Sequence, residues 1–511
     1  MDTKADLPSE KPLRNDLRRV IDAKLAALDK ARPEAVGKRR KTGHWTAREN
    51  IDYFLDADSF LEYGQLARPA KPGMSGPADG FIMGTGTVDG KRVAVAAYDY
   101  TVYAGTQSFI NHAKIDRFLR LVKELRLPFV IWAEGGGWRP HETNMAHRDH
   151  VETFVLLAQL SGLTPTVAIV AGRCFAGNAN IVGLCDVAIA TRKIAMGMAG
   201  PALVEAALGQ KLTPEELGPA EVHQRSGAID ILVDDEKTAA DAARKYLGYF
   251  HGPGEAGPEP DTLALRDVVP ESMRRAYDVR KVIAGIADED SILELRPKYA
   301  AGAVTALIKV GGRPIGVIAN QPMARAGAMD TPVCDKMSRF IQLCDAHDIP
   351  MLTLCDTPGL MVGPDAEATA LVKHSARVLT ALANATVPFM AVVLRKAYGL
   401  GYQILAAMPL NPAVLVAWPT AEFGMMGTEG ATKILHRNEL NELPDAAARA
   451  ELEARLSRES RERNDALEVA ARYEFDDVID PAETRDVVLK FLKSLPPTPP
   501  RSGRKRWIDN W

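Results

Sequence analysis

Cysteine is scarce: Cys174, Cys185, Cys334, Cys344 and Cys355 are the only five in 511 residues. The number is odd, the spacing irregular, and no C-x-x-C occurs, so neither a disulfide framework nor a zinc ribbon is expected. An excess of one charge is missing as well. The 63 Lys and Arg face 66 Asp and Glu, a net charge of −3. That removes the simplest electrostatic basis for binding nucleic acid. No run of about 18 apolar residues lacks charge, which excludes a helical membrane span. The N-terminus MDTKADLPSEKPLRNDLRR has no apolar core of a signal peptide, and a cytoplasmic protein with reduced thiols is the expectation. Several catalytic signatures are also missing. There is no G-x-x-x-x-G-K-[ST] loop and no G-x-S-x-G elbow. Gly84-Thr-Gly86 lacks the rest of a dinucleotide fingerprint and reads as part of a strand and turn.

What is present is an ordinary globular composition, 46% apolar and 25% charged. At roughly 100–200 residues per domain the length allows two to four domains. Such a chain can bury about three quarters of its unfolded surface without a metal or disulfide staple. Leu17, Val20, Ile21, Leu25 and Leu28 fall at helical spacing, which predicts an amphipathic helix packed on something larger. Thr46-Ala-Arg-Glu49 is a capping box that opens a second helix. From KRVAVAAYDY (91–100) onward, apolar strands alternate with helical stretches such as 109–127, a pattern of α/β layers. The dense Glu, Arg and Ala of 438–472 read as solvated helix, and RSGRKRW (501–507) as a basic surface tail.

Residues 252–262, GPGEAGPEPDT, form the best boundary in the chain, giving an N-terminal unit 1–255 and a C-terminal unit 256–511. The two halves resemble each other. LPFVIWAEGGGW followed by TPTVAIVAGRCFAGNA is matched by IPMLTLCDTPGL followed by VPFMAVVLRKAYGLGY. Pro128 and Pro165 precede the first pair of strands, Pro350 and Pro388 the second, at nearly equal intervals, which suggests an internal duplication.

Each half carries a glycine-rich turn after a buried strand, Gly172–Asn178 and Tyr398–Tyr402. Glycine lets a ligand approach main-chain N–H groups closely. Amides at a helix start lie at the positive end of its dipole and can hold a developing oxyanion. One such turn is common in any α/β protein. Two equivalent turns point to two oxyanion sites facing one cavity. The cluster His141, Glu142, His147, Asp149 and His150 allows metal ligation in principle, but a polar loop leading into the next helix is the preferred reading.

The motifs, taken in order, resemble the carboxyltransferase (β) subunit of biotin-dependent acyl-CoA carboxylases, within the crotonase superfamily. GHWTARENIDYFLDADSF (43–60) is similar to the family's TARERID-type segment, and DYTVYAGTQSFINHAKI (99–115) to its DFTV…HAKK segment. CDTPGLMVGP (355–364), RKAYGLGY (395–402), AWPTAEFGMMGTEGA (417–431) and FDDVIDPAETR (475–485) match D-x-P-G-F-x-x-G, R-K-A-Y-G-G-A-Y, A-W-P-x-A-E-x-x-V-M-G and D-D-V-I-x-P-x-x-T-R. The match runs over nearly the whole chain.

The resemblance implies an α/β fold of two duplicated crotonase-like (ββα superhelix) domains, and a hexamer built as a trimer of dimers. It places acyl-CoA mainly on the N-terminal domain and carboxybiotin on the C-terminal domain, at the junction of two subunits. It maps the thioester oxyanion donors to Gly177 and Asn178, and those for the biotin ureido oxygen to Leu400 and Gly401. Gly135, Gly136, Gly137 and Gln403 are the expected substrate-binding residues. The implied chemistry is carboxyl transfer: carboxybiotin releases CO2, the biotin anion takes the α-proton of the acyl thioester, and the enolate attacks CO2. No side-chain acid or base is required.

There are departures. AEGGGWRPHETN stands where the family often has S-G-G-A-R, and Trp138 adds bulk near the expected acyl path. Gln403 stands where short-chain carboxylases often carry Asp, which predicts a larger or less usual acyl group. Asn178 and Leu400 replace glycines, keeping the amides but adding side chains that can crowd the cavity. No A-M-K-M biotinylation site or ATP-binding biotin carboxylase region is visible, so a separate biotinylated carboxylase or carrier subunit is the expected partner, with no metal, nucleic acid or membrane involved. Two other readings stand beside carboxyl transfer: a CoA-thioester decarboxylase on the same scaffold, and a non-catalytic acyl-CoA-binding or assembly subunit.

Overall fold

The computed structural model describes residues 13–140, 142, 151–273, 275–406, 411–496 and 506–511. Its frame is two large sheets, one on either side of the Pro/Gly-rich segment 252–262. The first has seven strands in the order Leu61–Glu62, Phe81–Val88, Lys91–Tyr98, Phe129–Trp132, Thr166–Val170, Val187–Thr191 and Ile231–Val233. An antiparallel hairpin, Phe81–Val88 with Lys91–Tyr98, feeds a run of parallel strands. The second sheet repeats the plan. Ala303–Val310 and Arg313–Asn320 form the hairpin, and Met351–Thr357, Phe389–Tyr398 and Val414–Ala417 follow in parallel. Central strands such as Thr166–Val170 and Met351–Thr357 are buried at every position. Unbroken apolar runs, rather than alternation, are what a parallel sheet covered on both faces requires.

The duplication extends to single residues at one constant offset. The long helix after the hairpin is Phe109–Leu125 in the first half and Thr331–Ala346 in the second. Each carries a buried lysine facing the chain ahead of the hairpin. Lys114 Nζ donates to the carbonyls of Ala78 and Phe81, and Lys336 Nζ to those of Arg296, Tyr299 and Ala303. Burial pulls both ammonium groups down, to about 8 and about 7. Gly105 and Gly327 both have positive φ, and a Cβ on Gly105 would lie 2.6 Å from the carbonyl oxygen of Glu134. Only glycine allows the chain to pass that close.

One hydrophobic cluster draws on both halves, joining Ala243 and Tyr246 to Phe340 and Cys344. Buried polar contacts cross the same seam: Arg296 Nε meets Asp230 Oδ1 at 2.8 Å, and Arg339 donates to the Asp186 carbonyl. The capping box at Thr46 is present in full, opening the helix Ala47–Phe54.

Two expectations are corrected. The helix Asn15–Ala26 forms, but none of its residues is buried, and Leu17, Val20 and Leu25 are exposed. Its apolar face therefore has no counterpart among the described residues of this chain. The end of the basic tail, in contrast, is not loose on the surface. Ile508 is buried and exchanges two hydrogen bonds with Ser161, Arg506 pairs with Asp345, and Asp509 pairs with Arg377. These six terminal residues tie the N-terminal half to the C-terminal half. Apolar and charge-paired side chains at 506–511 outweigh the basic run before them, and 501–505 lie outside the described residues.

Candidate active site

The two glycine-rich turns each open a short helix, Gly177–Leu184 and Gly399–Leu405. At Ala176, φ is +54°, so the chain swings sharply from the strand Arg173–Phe175 into the helix. First-turn amides have no carbonyl four residues back within a helix. Among the described residues, the amides of Gly177, Asn178, Leu400 and Gly401 have no hydrogen-bond acceptor. Gly177 is half-buried, Leu400 is 48% exposed and Gly401 is buried. A Cβ on Gly177 would overlap Gln107 Oε1, and one on Gly401 would stand 2.9 Å from Gly359 Cα. Glycine at both positions keeps each amide pair against its supporting turn.

Asn178 does not crowd an opening. Its side chain is fully buried and turned inward. Its Oδ1 accepts from the Gly137 amide at 3.0 Å, and its Nδ2 donates to the carbonyls of Glu134 at 3.2 Å and Gly105 at 3.4 Å. The residue offering a free main-chain donor thus uses its amide side chain to brace the Gly135–Gly137 turn.

That turn offers fewer donors than three glycines suggest. The Gly135 amide donates to the Arg173 carbonyl at 2.8 Å, and Gly137 to Asn178. Gly136 is exposed, with no acceptor for its amide among the described residues. Gln403 is exposed and does not border the large cavity described next. Trp138 is half-buried, packed edge-on to Phe109 at 4.7 Å and stacked on His112 at 5.9 Å. His112 is tied to Thr153, which is hydrogen-bonded in turn to Asp116. Burial drops the His112 imidazole to about 4, so it is neutral at pH 7.

A cavity of about 1400 Å³ opens beside the first turn, and Gly172 and Arg173 form part of its wall. The opposite wall comes from the N-terminal helices, including Arg32 and Arg39, with Arg68 and Lys193 also lining it. Arg68 and Lys193 have no ion-pair partner among the described residues. Their charge is available to an anionic ligand, whereas Arg32 is held by Asp99 at 3.0 Å and Arg39 by Glu134 at 2.7 Å.

Behind Arg39 lies a buried polar cluster that sequence reasoning missed. Glu134 and Glu236 come within ligand distance of His44, but the Arg39 guanidinium occupies the same space, 2.7 Å from Glu134 and 3.9 Å from Glu236. A cation there would compete with the arginine. Glu134 stands at the start of the segment that departs from S-G-G-A-R, and that departure was the available signal. Of the His141–His150 group, only Glu142 is described; it is fully buried and pairs with Arg139 at 3.0 Å. The other four residues lie outside the described residues. All five cysteines are buried and unpaired, and burial pushes their thiols up, so none is a ready nucleophile.

Comparison with known proteins shows the family and the fold. The carboxyl transferase domain family matches residues 38–504. The methylmalonyl-CoA carboxyltransferase 12S subunit of Propionibacterium freudenreichii subsp. shermanii is 36% identical over 473 residues, covering 90% of each chain. Among solved structures, a single-chain, multi-domain long-chain acyl-CoA carboxylase is 44% identical with a TM-score of 0.88 over 94% of this chain. This chain spans 49% of that longer one. A transcarboxylase 12S hexamer with methylmalonyl-CoA and methylmalonic acid bound is 32% identical with a TM-score of 0.87, covering 98% of this chain and all of that one.

Proposed function

Because the chain belongs to the carboxyl transferase domain family, with the crotonase-like fold of its structural relatives, we propose that it moves a carboxyl group from carboxybiotin to the α-carbon of an acyl-CoA. The observation that carries this reading is the pair of uncommitted amide sets, Gly177/Asn178 and Leu400/Gly401, each in the first turn of the helix that starts at the equivalent glycine of its half, Gly177 and Gly399. Carboxylation at an α-carbon passes through an enolate and needs negative charge held on the thioester oxygen. Preorganised N–H donors supply that without any side-chain acid or base.

The N-terminal unit, 1–255, is the acyl-CoA side. Its cavity has room for a nucleotide and a pantetheine arm, and Arg68 and Lys193 offer charge to phosphates. The C-terminal unit, 256–511, is the biotin side. Uncommitted amides at Leu400 and Gly401 suit a ureido oxygen, and Leu400, being exposed, is open to a docking carrier. Carboxybiotin, when docked, brings the carboxyl group and an acceptor for the α-proton. The residues of this chain orient the thioester and disperse the enolate charge. A separate biotinylated carboxylase or carrier subunit supplies the biotin. Because one known relative is a hexamer, the chain works as a trimer of dimers, which also gives the exposed face of Asn15–Ala26 a place to pack. No helix of the described residues is long and apolar enough to cross a membrane, and a cytoplasmic location is part of this reading.

The acyl group is larger than acetyl or propionyl. The 44% identical relative is a long-chain acyl-CoA carboxylase. With carboxybiotin as donor, octanoyl- and palmitoyl-CoA are expected to be carboxylated faster than acetyl-CoA at equal concentration. A clear acetyl-CoA preference overturns the assignment of chain length. CO2 loss from malonyl-type thioesters without any need for biotin points to the decarboxylase reading. Tight acyl-CoA binding with no turnover points to a non-catalytic subunit.

A further inference from the structure

The duplicated halves treat one equivalent position differently. At the end of the strand before each bracing turn stands a buried acid, Glu134 in the first half and Asp356 in the second. Asp356 takes its counter-charge from the neighbouring strand: Arg395 Nε donates at 3.0 Å, and Lys396 Nζ stands 3.4 Å away. The residue equivalent to Arg395 is Arg173, which is exposed and pairs with Glu215 at 3.1 Å. Glu134 takes its counter-charge from outside the sheet. Arg39, on the helix Pro33–Lys41, reaches in across the cavity wall, with its Nε held by the Trp45 carbonyl at 2.9 Å and its guanidinium over the Tyr100 ring at 5.4 Å. Arg39, His44 and Tyr100 all face the cavity.

The contacts then run on without a break. The Glu134 carboxylate meets Arg39, the Glu134 carbonyl accepts from Asn178 Nδ2, and Asn178 carries one of the free amides. From this chain of contacts we infer that Glu134 is a positioning residue: through Arg39 it couples occupation of the cavity by the nucleotide end of the thioester to the alignment of the Gly177/Asn178 amides. The inference rests on the carboxyltransfer reading. Its physical content is that binding energy from a remote part of the substrate is used at the reacting carbon, so it appears in kcat rather than in KM alone.

The test compares octanoyl-CoA with octanoyl-pantetheine, which lacks the nucleotide, using carboxybiotin as donor. In the parent protein the full CoA ester is expected to have the higher kcat. In Glu134→Gln, kcat with octanoyl-CoA falls about 10²-fold and the advantage over the pantetheine ester disappears. Should Glu134→Gln fail to fold with Arg39 left unpaired, Arg39→Met serves instead, because burial already raises the Glu134 carboxyl and lets it accept a proton. Glu134→Asp, which keeps the charge, restores part of the ratio. The inference is overturned if folded variants keep the parent ratio of kcat values, or if only KM for octanoyl-CoA rises, since Arg39 is then merely a binding group. A parent protein inert toward every acyl-CoA removes the function itself, a separate and distinguishable failure.

Discussion

Gly177→Pro folds and transfers carboxyl groups about 10²–10³-fold more slowly than the parent, the loss typical of deleting one oxyanion donor. Gly177 is the first residue of its helix, so the N–H that proline lacks has no intrahelical acceptor, although Ala176 at φ +54° must shift toward the extended conformation that proline favours before it. The substitution therefore removes the proposed donor while leaving the helix its own hydrogen bonds. The new ring also meets Gln107, whose Oε1 overlaps the place of a Cβ. Gly177→Ala carries the same crowding and keeps the N–H, so the two variants separate steric from electronic loss. Circular dichroism and thermal melting establish that both fold. Parental turnover in folded Gly177→Pro contradicts the role of that amide.

Asp356→Ala destabilises the C-terminal half by about 3–5 kcal/mol, the usual cost of leaving a buried charge without its partner. Asp356 is fully buried and Arg395 is 1% exposed. Besides Arg395 and Lys396, the acid accepts from the Lys396 amide at 3.2 Å. The loss also reaches the site. The Asp356 amide donates to Asn320 Oδ1 at 3.2 Å, and the turn beyond it places Gly359 against Gly401. Urea unfolding is the measurement, and Asp356→Asn, which keeps the shape, is expected to lose less. An Asp356→Ala midpoint equal to that of the parent shows that the pair is not a structural charge.

Much of this architecture is legible in the residues. Parallel strands must be apolar on both faces, so TPTVAIV and MLTLCDT announce themselves, and the prolines before them mark the repeat. The capping box at Thr46 is a local rule obeyed locally. The glycine turns are legible for the same reason, because only a tight backbone needs them. What the sequence hid is long-range. Asn178 reads as a glycine replacement that can fill a cavity, yet its side chain turns inward, because three main-chain groups brought together by folding satisfy all of its polar atoms. Glu134 and Arg39 are 95 residues apart, and no local pattern links them. The N-terminal helix is legible as amphipathic from its spacing, but spacing does not say what covers a face, and among the described residues none of the helix is buried.

The most direct measurement is a cryo-electron microscopy structure of the assembled protein with an acyl-CoA bound. The expected result puts the thioester oxygen about 2.7–3.1 Å from the Gly177 and Asn178 amides, facing Leu400 and Gly401 of a neighbouring subunit across one shared opening. A thioester bound elsewhere, or those amides turned toward protein acceptors in the assembly, contradicts the carboxyltransfer site proposed for this chain.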